Sequence, residues 1–563
     1  MVIHSQWQIP IPSVSLPTFL FTSPTAPLSD NPTFISTRNP ENHHLSFSAY
    51  RLYAQRLASG LIRSGLKPGD RVLLFSGNTL FFPVILMGTI MAGGIFTGAN
   101  PTYVVRELAY QLRDSGAKYL ICAEGSLITG LAAAKEAGLK SDQIFVFDDG
   151  VATFEGRKVE AKDESGATIR HWTTLLDSED NGRKYAWPEL STPEELDRVI
   201  ALNYSSGTTG VAKGVMITHK NYVSNCSQVI HLAQQDPEYE AKQARAKHLC
   251  FLPMYHAMAQ TIFCVNAPKM GSPIYVMNKF DFLEVLQAVQ KFRITSLTLV
   301  PPVVVAMAKH PATRKFDLSS IEGVGSGAAP LGREACEQLE ALWPDGRVNV
   351  KQGWGMTEAT CALTTFHPAW KSESFSVGQL VANCEAKIVV DDEGKVEVPQ
   401  GERGEVWVRG PNVMKGYWNK PEATRETLTP DGWLKTGDVA YVDKDGSFFI
   451  VDRKKELIKV KGLQVAPAEL EALLLDHLDV QDAAVIGVTH NGEELPRAYI
   501  VPQDPKRATP EVAEEIKQWL AARVSKAKRL EGGVHFISDI PKNPSGKIMR
   551  RQLREMAATK SKL

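Results

Sequence analysis

Apolar and polar positions follow two rhythms along this chain. Through most of its length, short β-rich runs such as Arg71–Phe75, Lys118–Cys122 and Gln143–Phe147 alternate with stretches of helical period. Arg51–Ser64 and Tyr103–Ser115 are examples. Strands alternating with helices predict an α/β fold, with parallel sheets covered by helices. After Val377 the rhythm shortens. The runs "AKIVV", "GEVWVRG" and "GSFFIVD", with tight turns at Asp391–Gly394 and Asp443–Gly446, predict a small antiparallel, barrel-like β subdomain over about 377–451. The charged crossing Asp452–Gly462, "DRKKELIKVKG", follows. Beyond it, helices near Pro467–Leu478 and Pro510–Ala527 and strands near Ala483–Val488 and Arg497–Val501 predict an α+β unit large enough to fold alone. The expected organisation is an N-terminal domain 1–451, a hinge 452–455 and a mobile C-terminal domain 456–563.

The apolar run Leu80–Phe96 contains a proline and three glycines in 17 residues. A membrane span needs about 20 mostly apolar residues, so a buried helix is expected and no span. The 63 basic residues balance 63 acidic ones, which gives no reason to expect a nucleic-acid partner. The seven cysteines form no Cys-x-x-Cys pair, so neither zinc nor a redox dithiol is indicated. The start "MVIHSQWQIPIP" lacks a secretory pattern. Ser561-Lys562-Leu563 matches a receptor-read peroxisomal address. It leads us to expect a peroxisomal matrix protein, with the import receptor as a partner.

The chemistry concentrates at Tyr204–Gly214, "YSSGTTGVAKG". Its residues suit a phosphate cradle, but their order is not that of the Gly-x-x-x-x-Gly-Lys-Ser/Thr loop. An apolar strand precedes the loop and "HKNYVSNCSQVIHLA" follows. A strand–loop–helix unit is therefore expected, offering backbone N–H groups to an anion. The hydroxyls of Ser205, Ser206, Thr208 and Thr209 and the Lys213 ammonium would assist. Gly325–Gly332, "GSGAAPLG", allows a flat ring to approach backbone. Gln352–Glu358, "QGWGMTE", offers an aromatic face, a hydroxyl and a hard oxygen donor suited to Mg²⁺. Gly432–Asp438 reads as a strand ending in an acid, and Pro541–Arg551 puts Lys547 on a Pro-Ser-Gly turn.

In this order the motifs resemble the adenylate-forming superfamily of acyl-CoA synthetases, firefly luciferases and peptide-synthetase adenylation domains. "SGAAPLG" and "KVKGLQVAPAELEALL" are similar to the branch of 4-coumarate:CoA ligase and related peroxisomal acyl- and aryl-CoA ligases. The resemblance implies an acid–thiol ligase that uses ATP, Mg²⁺ and coenzyme A. A carboxylic acid would become an acyl-adenylate with release of pyrophosphate, and then a thioester with release of AMP. A luciferase-like oxygenase and a stand-alone adenylating enzyme are the alternatives on this scaffold.

Carried over residue by residue, Ser205, Ser206, Gly207, Thr208, Thr209, Gly210 and Lys213 grip pyrophosphate. Gly327, Ala328, Ala329, Gln352, Gly353 and Trp354 flank the adenine. Thr357 meets the α-phosphate and Glu358 holds Mg²⁺. Asp438 and Arg453 take the ribose. Lys547 bridges carboxylate and phosphate in the first step, Lys459 and Gln464 serve the second, and Lys461 and Gly462 line the coenzyme A route. Lys455 is the hinge. Trp354 stands where the family often has Tyr. The acyl pocket is expected from His256, Ala257, Ala259, Gly327, Gly355, Thr360 and Cys361, whose small side chains suit an aromatic, bulky or medium-chain acid. A proline at Lys455 is expected to slow the second step more than the first.

Overall fold

The structure is a computed structural model. It describes residues 2–148, 150–154, 156, 161–163, 165–205, 211–461, 463–490, 493–543 and 546–560. Ser206, Gly207, Thr208, Thr209 and Gly210, as well as Gly462 and the tail Ser561, Lys562 and Leu563, lie outside the described residues.

Two sheets form the heart of the large N-terminal domain. Among the described residues, one sheet has nine strands, in the spatial order Gly416–Tyr417, Lys213–Thr218, Val199–Ser205, Ile95–Ala99, Arg71–Phe75, Ala117–Ala123, Ile144–Phe147, Thr168–His171 and Ala161–Lys162. Its central neighbours run parallel. The other has seven, running from Val350–Gln352 through Gly323–Ser326, Ser296–Leu299, His248–Cys250 and Ile274–Val276 to Pro32–Ser36 and His44–Ser46. One continuous apolar core joins the two sheets to their helices.

The Phe82–Met91 helix is buried on every side, as a helix apolar all round must be. It stops where Gly93, at φ 75°, takes the left-handed turn that lets Ile95–Ala99 start a strand. The run expected as one buried helix is thus a helix followed by a strand. Among the described residues, no helix is long and apolar enough to cross a membrane.

The antiparallel subdomain is the five-stranded sheet Ile3–His4, Glu385–Val389, Gly404–Arg409, Leu434–Val442 and Phe448–Arg453. Its edge strand comes from the extreme N-terminus, which the sequence rhythm did not suggest. The smaller C-terminal domain has its own core around Leu470, Val485, Ile500 and Ile516. There Val480–His490 pairs with Glu493–Pro502 through almost their whole lengths. The Pro467–Leu474 and Pro510–Ala521 helices both end short of their expected limits.

Two expectations are corrected. Ser205 does not lead through its loop into a helix. It pairs with Lys213 across an antiparallel hairpin, and the His219–Ala233 helix begins only after the second strand. Val215, Ile217 and Thr218 are β-branched and favour that strand. No helix N-terminus therefore borders the loop directly. Nor does Asp438 end a strand. Leu434–Val442 continues past it, with register shifts against both neighbours and Gly437 at φ 72°. These irregularities mark a bulge that re-aims the backbone there.

Candidate active site

The hairpin bearing the Gly/Ser/Thr loop is pinned from outside. The Tyr204 hydroxyl donates to Asp114 Oδ2 at 2.8 Å, and Lys420 reaches Asp114 Oδ1 at 2.5 Å. Tyr110 donates to the Ala212 carbonyl at 2.9 Å. From the loop base, Ser205 Oγ donates to Glu358 Oε1 at 2.9 Å. Tyr417 donates to the same oxygen at 2.9 Å, and Lys213 Nζ lies 4.4 Å from the centre of the Tyr417 ring. Tyr417 thus joins the lysine of the loop to the buried acid.

Thr357 and Glu358 lie on the short turn Thr357–Ala359. The next residue, Thr360, is fully buried at φ 68°. A β-branched residue in that region is strained. Its hydroxyl donates to the Asn412 carbonyl at 2.7 Å, and the Asn412 amide donates back to the Ala359 and Ala362 carbonyls. Gly355 must remain glycine, because a Cβ there would lie 1.8 Å from the Cys361 carbonyl oxygen. Cys361 is held neutral, with burial pushing its thiol up to about 12.

Trp354 adds a polar link to its ring face. Its Nε1–H donates to Asp438 Oδ2 at 2.8 Å, while Arg453 Nε meets Asp438 Oδ1 at 2.6 Å. Each Asp438 oxygen keeps a second acceptor direction for a hydroxyl. Gln352 is buried and its amide donates to the Leu331 carbonyl at 3.1 Å. Ala328 adopts φ 75°, and the absent side chain of Gly327 leaves a gap facing the Gly353 carbonyl and Met258 Sδ, each 3.5 Å from a Cβ built there. Ala329 follows on the same loop.

Lys547 enters from the C-terminal domain. Burial lowers its pKa, the Arg453 charge lowers it further, and Asp438 and Glu358 pull it back up. Burial pushes His256 down to about 4, with the Lys547 charge acting in the same sense. Lys547, His256, Arg453, Asp438 and Glu358 therefore share one electrostatic neighbourhood. The domain contact behind them is close, since a Cβ on Gly546 would lie 3.4 Å from Val300 and Pro302.

Other expected residues are elsewhere. Lys459 faces Gln464 across the small Ile458–Val460 and Leu463–Val465 hairpin, and both are exposed. Lys459, Lys461, Lys454, Lys455 and the acids Glu493 and Glu494 border a surface cavity of about 700 Å³. Ala257 and Ala259 are packed into the fold near His256. Tyr417, Asp114, Asn412 and Met258 escaped the sequence reading. The only signal for Tyr417 was an aromatic in "KGYW".

An α/β large domain thus brings together the Ser205–Glu358 pair, the Trp354–Asp438–Arg453 corner and a lysine delivered by a second domain. The model of the AMP-binding enzyme family matches residues 25–418, and that of the AMP-binding enzyme C-terminal domain matches residues 469–547. The chain belongs to the AMP-binding enzyme family. It is 36% identical over 565 residues to phenylacetyl-CoA ligase epaB of Aspergillus niger, covering 99% of each chain. It is 37% identical to 4-coumarate–CoA ligase 1 of Petroselinum crispum, over 91% of this chain and 89% of that one. ATP-bound MatB from Rhodopseudomonas palustris superposes with a TM-score of 0.78 at 25% identity, over 96% of this chain and 98% of that one.

Proposed function

We propose that this protein is an AMP-forming acyl-CoA ligase with two half-reactions carried out by two arrangements of its C-terminal domain. One observation carries the reading. Lys547 lies among Asp438, Arg453 and Glu358, while Lys459 and Gln464 face outward on the same domain. One domain thus offers two sets of polar side chains, and only one reaches the nucleotide site at a time.

In the first half-reaction a carboxylate oxygen attacks the α-phosphorus of ATP, and the bond to pyrophosphate breaks. Two anions must approach, so Lys547 neutralises charge between them. Lys213 and the loop at Ser205 hold the departing phosphates, and Asp438 and Arg453 fix the ribose. The donor set at Glu358 suits Mg²⁺. Both protein donors fall on Oε1, and no described residue donates a hydrogen bond to Oε2. Among the described residues, no group of three or more His, Cys, Asp or Glu side chains is placed to hold a metal. This fits an ion held by one carboxylate together with substrate phosphates and water. In the second half-reaction the thiol sulfur of coenzyme A displaces AMP from the acyl carbon, with Lys459 and Gln464 brought inward about Lys455 and with Lys461 along the route.

The small side chains near His256 and the names of the two ligase relatives support an aromatic or bulky acid. The Ser561–Leu563 address supports a peroxisomal site of action, which a fluorescent fusion with and without it would test. The activity is tested with ATP, Mg²⁺ and coenzyme A against cinnamates, arylacetates, medium-chain fatty acids and terpenoid acids. A thioester that requires coenzyme A is expected. Adenylate alone, or light, would replace this reading with one of the other activities of the scaffold.

A further inference from the structure

Asp452 lies on the Phe448–Arg453 strand opposite Val439, fixed in the sheet of the large domain. It is only 5% exposed. Oδ1 accepts the Arg453 N–H at 2.7 Å, and Oδ2 accepts the Ala468 N–H at 2.9 Å. Ala468 belongs to the C-terminal domain, as the second residue of the Pro467–Leu474 helix. Pro467 has no N–H, and Ala466, at the cap position, has no side-chain oxygen. Helix N-termini need such an acceptor. Here it comes from an acid on the other side of the hinge.

The charge that opens the helix after Lys547 lies near enough to act on the same acid. Arg550 starts that helix, and its guanidinium makes two 2.7 Å bonds to Glu471. Glu471 lies on the capped helix and accepts the Val485 N–H at 2.7 Å. Burial raises the Asp452 carboxyl, and the Arg550 charge opposes that rise. Val439, Val451, Leu457 and Ala466 form an apolar patch across the domain boundary. A turn of the C-terminal domain about Lys455 would carry Ala468 and Arg550 away from Asp452 together.

We propose that Asp452 is a positioning residue for adenylation. It caps the first helix of the C-terminal domain from the sheet of the large domain, and so holds Lys547 in the nucleotide site in one arrangement only. The proposal rests on the two-arrangement reading above. A plain stabilising role would affect both half-reactions alike, so the test separates them. Full-length Asp452→Ala and Asp452→Asn are compared with the unaltered chain, using the acid of highest turnover in the panel and its synthetic adenylate.

In Asp452→Ala, single-turnover pyrophosphate release is expected to slow about three- to thirtyfold, the equivalent of a lost helix cap. Thioester formation from supplied adenylate should be unchanged or faster. Asp452→Asn keeps one acceptor and should recover part of the loss. Equal slowing of both steps, or no slowing of either, overturns the proposal. If the unaltered chain forms no thioester from supplied adenylate, the ligase reading fails instead. The role of Asp452 is then decided by pyrophosphate release compared with thermal stability. Slower release at unchanged stability supports it, and a matched loss of both overturns it.

Discussion

Lys547 and Glu358 bring opposite charges into one neighbourhood, beside Arg453 and Asp438. Lysine desolvation is costly, and here Arg453 adds to the cost. A lysine whose charge is opposed both by burial and by a neighbouring arginine is a functional-site candidate. Replacing Lys547 with Ala should slow pyrophosphate release by on the order of 10²- to 10³-fold, the range for a positioned electrostatic donor. The same variant should form thioester from supplied acyl-adenylate at close to the normal rate. Single-turnover assays of each step check this, and normal adenylation would remove Lys547 from the chemistry. The motif residues at this scale were legible because each motif is local in sequence. Tyr417 was not, because its meaning lies in Glu358, 59 positions away, and in Lys213, which it meets only through strand pairing. Asp114 is further removed still, 306 positions from Lys420.

Elements of the fold constrain the site through backbone as much as through side chains. The Trp354–Gly355 and Ala362–Thr365 strands pair with a register shift, and Gly355 lies where the Cys361 carbonyl closes over it. Gly355→Ala forces that carbonyl to move, so a destabilisation of about 3 kcal/mol or more is expected, at the upper end for overpacking. Thermal or urea unfolding measures it, and a loss below about 1 kcal/mol would mean that the strand pair gives way easily. The His219–Ala233 helix sets a pH limit. His219 Nδ1 accepts the Leu16 N–H at 3.0 Å, and burial pushes the imidazole down to about 3. The folded form keeps His219 neutral, while the unfolded chain takes up a proton near pH 6.5. The unfolded state therefore binds more protons between pH 6.5 and 3. Stability from this group is fully present above 6.5 and falls as pH drops through that window, by about 2 kcal/mol at pH 5. His219→Asn retains an acceptor but does not titrate. Its melting temperature should fall less steeply between pH 6.5 and 5, and an unchanged slope would exonerate His219. The hairpin at Lys213–Thr218 escaped sequence reading for a reason that belongs to this scale. Its β-branched residues and its hairpin partner Val199–Ser205 are local, but its outer neighbour, Gly416–Tyr417, lies some 200 positions later and leaves no local trace.

Across the whole molecule, the arrangement of the two domains depends on a few residues around Lys455. On the large-domain side, the Lys454 N–H donates to the Gly437 carbonyl at 2.8 Å, and Lys454 Nζ meets Glu405 at 2.9 Å and Asp392 at 2.6 Å. On the other side, Glu456 is paired with Arg554 of the C-terminal helix. Between them the chain makes a tight turn, in which the N–H groups of Glu456 and Leu457 both donate to the Arg453 carbonyl, at 2.9 and 3.2 Å. Such a turn needs helical backbone at Lys454 and Lys455. Proline at 455 would drive Lys454 out of that region. The sequence alone leads us to expect that Lys455→Pro slows thioester formation more than adenylation, with the adenylating arrangement as the resting one. The hydrogen bonds to Arg453 reverse that expectation, because proline penalises the very arrangement that sets Lys547 beside Arg453, Asp438 and Glu358. Pyrophosphate release should therefore slow at least as much as thioester formation from supplied adenylate. Parallel single-turnover measurements of the two steps decide it. A selective loss of thioester formation would show that the turn tolerates proline and that the second arrangement does not. No loss in either step would place the pivot outside Lys455.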